Sequence, residues 1–241
     1  MEKVDKSKKF NWRLVGKIAV LVLWVGVACI AVQYIVGYPL LWILGKETFT
    51  TPLWTTIYSA LTYIVTALVV IFIPKKIKKN WGTTRIELGL SNLPTFVDIG
   101  LGLLGFIATI LISAFVTNIM SGFDWFDANQ AQNIGYNVLN TGFDRIVAFL
   151  ALVVFAPIAE EIIFRGWLYG KLRKTIAAPA AIILVSFLFG FLHGQLNVGI
   201  TVGIMSIAMC VEREMTGTIY ASLLTHLIKN GIAFWIIYVL T

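Results

Sequence analysis

Seven long apolar stretches recur along the chain, and they restrict it to folds whose helices lie in a membrane. A helix needs about 20 apolar residues to cross a hydrocarbon core roughly 30 Å thick. Hydrophobic residues make up 59% of the chain and charged residues 13%, a balance far from that of soluble domains. The stretches run approximately over residues 18–44, 55–74, 96–120, 145–164, 176–192, 198–211 and 219–240. We therefore predict an all-α fold, a polytopic transmembrane helix bundle.

The number of helices follows from these stretches and from one internal break. Seven stretches predict seven helices. The first stretch is long enough to break near Gly37 and Pro39 into a spanning helix and a short interfacial helix, which would make eight. The sequence contains no internal repeat, low-complexity tract or long linker. Residues 1–241 are therefore predicted to form a single membrane domain.

The net charge of +7 is distributed in a way that indicates membrane topology rather than nucleic-acid binding. Basic residues cluster before the first apolar stretch, within residues 1–17, and after the second, within residues 75–85. Under the positive-inside rule such clusters stay in the cytoplasm. Residues 121–144 carry three aspartates and no lysine or arginine, as expected on the outer side. We predict a basic cytoplasmic amino terminus over residues 1–17, a retained anchor after it, and a carboxyl terminus outside.

Polar and ionisable side chains inside the apolar stretches are few, and the notable ones lie in the carboxyl-terminal half. A charged side chain is costly in hydrocarbon unless it is paired or hydrated, so each marks a candidate functional site. These residues are Glu160, Glu161 and Arg165 at the end of the fourth stretch, His193 after the fifth, and His226, Lys229 and Asn230 in the last. Glu161 and Arg165 have the i,i+4 spacing of a helical ion pair, which leaves Glu160 available as a base or ligand.

Helical spacing brings several of these side chains onto shared faces. His226 and Asn230 are four residues apart, and so are Phe189 and His193, so each pair faces one way. We expect Phe189 to support the site as part of its wall. Three helices would then gather a carboxylate, two imidazoles and a carboxamide around one cavity. Such a set suits hydrolysis of a peptide bond. The carboxylate can take a proton from water, one imidazole can share that water or hold a metal, and the second imidazole with the amide can stabilise the oxyanion.

Further expectations concern helix packing and depth. Gly190 and Gly194 are predicted to let another helix approach closely, and Lys229 is interpreted as a snorkelling or structural residue. Counting from the predicted cytoplasmic ends puts Glu160 near the inner face and His193 nearer the outside. A kink in the fourth helix or a deeper start of the fifth would bring the two level.

Three gapped motifs formed by these residues resemble a known family. They are EExxxR at Glu160, Glu161 and Arg165, FxxxH at Phe189 and His193, and HxxxN at His226 and Asn230. The same motifs, in this order, are found in the CAAX-protease and bacteriocin-processing family of intramembrane endopeptidases, which includes the type II CAAX prenyl endopeptidase. The similarity covers residues 157–234, the predicted peptidase core, while the first three helices match in hydrophobicity alone.

The resemblance implies a membrane-embedded peptidase and a role for each motif residue. Glu160 with His193 would activate a water molecule, His226 with Asn230 would stabilise the tetrahedral intermediate, and Glu161 with Arg165 would form a structural pair. Whether a metal takes part is left open. The chain lacks the HExxH helix in which soluble zinc proteases gather two ligands, which favours a reaction without a tightly held zinc ion. If a divalent metal such as zinc is bound, its expected ligands are Glu160, His193 and His226.

The resemblance also implies partners and a location. The expected partners are the lipid bilayer and a peptide or membrane-protein substrate, either prenylated or the precursor of a bacteriocin or signal peptide. The expected location is the plasma membrane of a bacterium, and the basic residues between 165 and 174 favour substrate entry from the cytoplasmic side. Two alternatives stay open: a non-proteolytic self-immunity or scaffold role within the same family, and a transporter, against which the lack of an inverted repeat counts.

Overall fold

Seven helices make up most of the described chain, which comprises residues 11–77, 81–128, 130, 139 and 141–240 of a computed structural model. The helices are α1 (Trp12–Phe49), α2 (Pro52–Ile77), α3 (Phe96–Met120), α4 (Gly142–Arg173), α5 (Ala178–Phe191), α6 (Leu196–Thr216) and α7 (Tyr220–Tyr238). The described residues contain no β-strand. Each predicted apolar stretch corresponds to one helix, so the predicted all-α bundle is confirmed. Residues 1–10 of the predicted basic tail lie outside the described residues.

Five of these helices, α1 to α4 and α6, are long and apolar enough to cross a membrane. Their outward faces carry large apolar side chains. On α3, for example, Phe96, Leu111 and Phe115 are 92%, 65% and 66% exposed. Apolar surfaces of this extent mark a membrane or partner interface, and on helices of this length they face lipid. The chain is therefore a multi-pass integral membrane protein, while its bacterial location and its orientation stay predictions.

The break predicted in the first stretch does not occur at Gly37 and Pro39. Helix α1 continues through both residues and leaves helical geometry at Gly45, where φ is 74° and ψ is 161°. A Cβ added at Gly37 would lie 3.2 Å from the ring of Tyr58, whose hydroxyl donates to the carbonyl of Gln33 at 3.1 Å. Gly37 therefore lets α2 pack against α1, and the predicted eighth helix amounts to a single turn after Gly45.

Helix α4 is wound unevenly, and its two glutamates lie between two wider turns. The segments Leu150–Phe155 and Ile162–Leu168 are π-helical, and the segment Ala156–Glu161 between them is α-helical. Pro157 has no N–H group, and its ring crowds the carbonyl four residues earlier. A widened turn relieves this crowding without ending the helix. Short π-helical segments inside α-helices often occur at functional sites.

Helix α4 ends at Arg173, well beyond the predicted end at residue 164, so its glutamates lie deeper than expected. At about 1.5 Å per residue, Glu160 lies roughly 20 Å from Arg173 along the helix, and His193 lies roughly 22 Å from the start of α5 at Ala178. The two residues are therefore nearly level along their helices. The predicted difference in depth was wrong because α4 is longer than its apolar stretch.

The segment between α2 and α3 is fastened to the end of the bundle at which α4 ends and α5 begins. Lys171 Nζ donates to the carbonyl of Gly82 at 2.7 Å, and Arg213 Nη2 donates to the carbonyl of Glu87 at 3.1 Å. Lys174 forms an ion pair with Glu87. Burial acts to raise the pKa of Glu87, but hydrogen bonds from Lys174 and from the backbone outweigh burial and lower this pKa. These contacts cover this end of the bundle.

Helix α6 lies at the centre of the bundle's second half and contacts α3, α5 and α7. Its approach to α5 depends on two glycines, since a Cβ added at Gly190 would lie 2.5 Å from the carbonyl oxygen of Gly199. The predicted role of Gly190 in close helix contact is thus confirmed. Gly194 was predicted to act in the same way, but no atom lies within 4 Å of its added Cβ. It has a φ of 72° and supports the turn between α5 and α6 instead.

Candidate active site

Helices α4 and α7 bring four ionisable side chains into one buried row. Arg165 Nη1 lies 3.0 Å from Glu161 Oε1, and both side chains are 0% exposed. His226 Nδ1 lies 3.0 Å from the same Glu161 oxygen, and His226 Nε2 lies 3.4 Å from Glu160 Oε2. The row therefore runs Arg165, Glu161, His226, Glu160, and the ion pair expected from the i,i+4 spacing is present.

The contacts of His226 restrict the position of its protons. Glu161 is paired with Arg165 and so acts as an ionised acceptor, to which His226 Nδ1–H donates. His226 Nε2 then faces Glu160. This contact is favourable when either Nε2 or the Glu160 carboxyl group carries a proton. The sequence motifs implied that Glu160 acts with His193, whereas the side chain that contacts Glu160 in this structure is His226.

His193 follows the end of α5 and has one ring nitrogen committed to the backbone. Its Nδ1 lies 2.7 Å from the carbonyl oxygen of Phe189. Because a carbonyl only accepts, Nδ1 is the protonated nitrogen, and Nε2 keeps a lone pair in the neutral ring. His193 lines the same cavities as Glu160. A neutral imidazole in this state can accept a hydrogen bond from a water molecule.

Phe189 packs at the centre of these groups. Its ring centroid lies 4.9 Å from that of His193 and 6.0 Å from that of His226. The guanidinium carbon of Arg165 lies 4.5 Å from the same centroid, a cation–π distance. Phe189 therefore packs against both imidazoles and the buried cation at once. Its role as a supporting residue of the site stays a prediction.

Asn230 faces the same cavity as His226 and is held by α4. Its Nδ2 donates to the carbonyl of Leu152 at 3.0 Å, and Leu152 lies in the first π-helical segment. An amide nitrogen carries two N–H groups, so one remains after this bond. The π-helical segment thus supplies the carbonyl that orients Asn230.

Two adjoining cavities meet at the site and share Tyr63, Leu152, Glu160 and His193 in their walls. One, of about 470 Å³, lies between α1, α2, α4 and α5. The other, of about 140 Å³, lies between α2, α4, α6 and α7 and is also lined by Lys229. A groove of about 720 Å³ on α5 and α6 has no ionisable side chain in its lining, whereas Glu160 and His193 line both smaller cavities.

The larger of the two cavities has a polar wall that the sequence analysis missed. Four hydroxyl residues of α2 line it at spacings of three and four, namely Thr55, Ser59, Thr62 and Thr66. Tyr63, on the same helix, lines both cavities together with Glu160. The hydroxyl spacing was visible in the sequence, but nothing in the sequence links Tyr63 to a glutamate on α4.

Glu212 is a second buried carboxyl that the sequence analysis missed. It lies within α6 and is 4% exposed. Thr225 Oγ1 lies 2.7 Å from Glu212 Oε1 and 2.8 Å from the carbonyl oxygen of Gly102. Glu212 therefore links α6 to α7 and α3, away from the two cavities.

The expected metal ligands do not form a cation site in the part of the chain that the structure describes. No group of three or more His, Cys, Asp or Glu side chains is arranged there to hold a metal. Both nitrogens of His226 face carboxylates, and His193 Nδ1 bonds to the backbone. The Nδ1 contacts of both histidines, to a carbonyl and to a carboxylate, are also of the kind that metal-ligating histidines make. The reaction proposed for this site uses its side chains alone.

Comparison with known proteins finds a family similar to part of the chain. Residues 142–232 match the family model described as Type II CAAX prenyl endopeptidase Rce1-like. The matched segment begins at the start of α4 and contains all three motifs, from Glu160 to Asn230. No curated protein and no solved structure gives a significant match to the chain. The resemblance drawn from the motifs is therefore confirmed: residues 142–232 of this membrane protein are similar to the Rce1-like family of type II CAAX prenyl endopeptidases.

Proposed function

We propose that this chain is an intramembrane endopeptidase that hydrolyses a peptide bond in a membrane-associated or peptide substrate. The observation that carries the proposal is the row Arg165, Glu161, His226, Glu160 beside a cavity within the bundle. When His226 is protonated the charges alternate in sign along the row, so each buried ion has a counter-ion. The row ends at Glu160, the carboxylate that lines the cavity. A carboxylate in this position is suited to act as a general base.

Glu160 is the base in the proposed reaction. It takes a proton from a water molecule in the cavity as the water oxygen bonds to the carbonyl carbon of the peptide. His193 orients this water through the lone pair on Nε2. When the tetrahedral intermediate collapses, the C–N bond breaks and the proton held by Glu160 moves to the departing nitrogen. One product then carries a new carboxyl group and the other a new amino group, as hydrolysis requires.

His226 and Asn230 are proposed to stabilise the oxyanion. Before the reaction, His226 Nε2 faces Glu160 at 3.4 Å. Once Glu160 has taken the proton from water, it is neutral and a weaker acceptor, so the imidazolium N–H can turn to the oxyanion. Asn230 contributes the N–H group that it does not donate to Leu152. Removing one such donor typically lowers kcat by about 100- to 1000-fold.

The proposed entry route for substrate is the end of the bundle at which α2 begins. The larger cavity extends from Glu160 to Thr55 near the start of α2. The opposite end is covered by the segment that Lys171 and Arg213 fasten. This geometry favours entry from the outer side, given the predicted cytoplasmic amino terminus, and it does not favour the cytoplasmic entry that the charge cluster indicated.

Cysteine labelling of whole cells tests this route. In a Cys29→Ser background, Ser59→Cys should react with a membrane-impermeant maleimide added outside. Ile86→Cys, which is exposed on the fastened segment, is the matched control and should react only after permeabilisation. Labelling of Ser59→Cys from the inside alone would contradict the route.

The function itself is tested by cleavage of peptides with purified protein in detergent. Wild-type protein is incubated with a library of prenylated and unmodified peptides, and the products are identified by mass spectrometry. We expect cleavage by the wild type and by Lys174→Ala, a substitution distant from the site, and none by Glu160→Ala or His193→Ala at equal yield. Activity that persists with a chelator supports the side-chain mechanism, whereas a loss reversed by zinc would assign a metal.

The same assay separates the peptidase from its alternatives. If folded wild-type protein cleaves no peptide of either kind, the peptidase proposal fails. Protection of cells from a bacteriocin by the Glu160→Ala variant would then favour the self-immunity or scaffold role.

A further inference from the structure

We propose that Lys229 is a catalytic residue whose ammonium group donates a hydrogen bond to the oxyanion of the tetrahedral intermediate. This inference rests on the proposed peptidase function. Lys229 lies on α7 between His226 and Asn230, and it lines the 140 Å³ cavity together with Glu160 and His193. A snorkelling lysine would extend towards the end of its helix, whereas this side chain borders the site itself.

The ammonium group of Lys229 shares its cavity with the Glu160 carboxylate but has no direct partner among the described residues. Among the described residues, no ion pair and no hydrogen bond to its side chain is found. It lines the same cavity as the Glu160 carboxylate and the His193 imidazole, so it lies within electrostatic reach of both. An ammonium has three donors and no acceptor. The ammonium group therefore lacks an acceptor, and the proposed reaction generates an anionic oxygen in the same cavity.

The proposed donors Asn230 and His226 already make other contacts before substrate binds, although Asn230 keeps one free N–H group. Asn230 Nδ2 donates to Leu152 at 3.0 Å, and the two nitrogens of His226 face Glu161 and Glu160. Lys229 is thus the cation at the cavity with its donors uncommitted among the described residues. A donor that needs no rearrangement when charge develops is the most effective kind of oxyanion stabiliser.

Apolar side chains around Lys229 strengthen its effect. The cavity walls include Val202, Met205, Phe234 and Ile237. They exclude water from one side of the ammonium, and a charge interacts more strongly with a developing anion where less water screens it. The cavity therefore presents a cation to the anionic intermediate more effectively than to the neutral ground state of a peptide.

The test compares steady-state kinetics of the wild type, Lys229→Met and Lys229→Ala on the peptide that the wild type cleaves. Methionine keeps the length of the side chain without its charge. We expect Lys229→Met to lower kcat by roughly 100- to 1000-fold with little change in KM, because the lost contact forms only in the transition state. Ethylammonium chloride should restore activity to Lys229→Ala by occupying the vacated space, while ethanol at the same concentration should not.

Controls separate this role from a structural one and from failure of the proposed function. Lys174→Met removes an exposed lysine at the end of the bundle and should leave kcat unchanged. Each variant is checked for its elution profile and unfolding temperature, and rescue by ethylammonium cannot occur in a misfolded site. If Lys229→Met keeps kcat within a few-fold of wild type, or raises KM alone, the assignment is overturned while Glu160-dependent cleavage still supports the peptidase. If Lys229→Ala folds but ethylammonium has no effect, the assignment is also overturned.

Discussion

Removing the guanidinium of Arg165 should destabilise the bundle severely, because Glu161 would become a buried charge without its cationic partner on α4. Both side chains are 0% exposed, and their closest N and O atoms lie 3.0 Å apart. Breaking a buried ion pair from one side costs about 3–5 kcal/mol. In a chain of this size each kcal/mol lowers the unfolding temperature by about 2–4 °C. Arg165→Met is therefore expected to lower that temperature by roughly 6–20 °C.

The assay is thermal unfolding of detergent-purified protein followed by tryptophan fluorescence. Arg145→Met, at an exposed position of the same helix, is the matched control and should shift the temperature by no more than about 2 °C. Glu161→Gln combined with Arg165→Met should recover part of the loss, since no charge is then left without its partner. Two results would refute this account of the ion pair. One is an Arg165→Met variant as stable as wild type, and the other is a double variant whose unfolding temperature falls by as much as the two single variants' decreases added together.

Two further predictions concern a hydrogen bond and a helix contact. Tyr63→Phe should lower kcat by about 10- to 100-fold in steady-state assays with little change in KM, because Tyr63 lines both cavities beside Glu160 and a hydrogen bond to a charged group contributes about 1.5–3 kcal/mol. An unchanged kcat would contradict this role. Gly190→Ala should lower the unfolding temperature by several degrees, because the new Cβ would lie 2.5 Å from the Gly199 carbonyl, and overpacking costs about 1–3 kcal/mol. Gly100→Ala, where nothing lies within 4 Å, should not.

The helices were predictable because a bilayer requires long apolar segments with all their backbone groups bonded internally. Their ends were less predictable. Arg165 and Lys171 lower the hydropathy of α4, yet the helix continues past both, since Arg165 is paired with Glu161 and Lys171 reaches the end of the bundle. A polar residue can end an apolar stretch in the sequence while the helix itself continues. For this reason α4 was predicted to end too early, and Glu160 was placed too close to the end of the helix.

The motif residues of the site were predictable because spacing within one helix follows from its 3.6-residue turn. Contacts between helices were not. The sequence did not indicate that His226 would lie opposite Glu160, that Tyr63 would line the same cavities as Glu160, or that Lys229 would border the smaller cavity. Each of these depends on how α2, α4 and α7 are rotated against one another, and the two π-helical segments of α4 alter that rotation without a distinct sequence pattern.

The most direct test of the central claim is the rate of peptide cleavage by Glu160→Gln, which keeps the shape of the side chain and removes its basicity. Wild-type and variant protein are purified in parallel, matched for unfolding temperature, and assayed on the same peptide by mass spectrometry in water enriched in oxygen-18. The account predicts that wild-type product carries the label in its new carboxyl group. It also predicts that Glu160→Gln is slower by about 100- to 10,000-fold. A variant within a few-fold of wild type would contradict the assignment of Glu160 as the base that activates water.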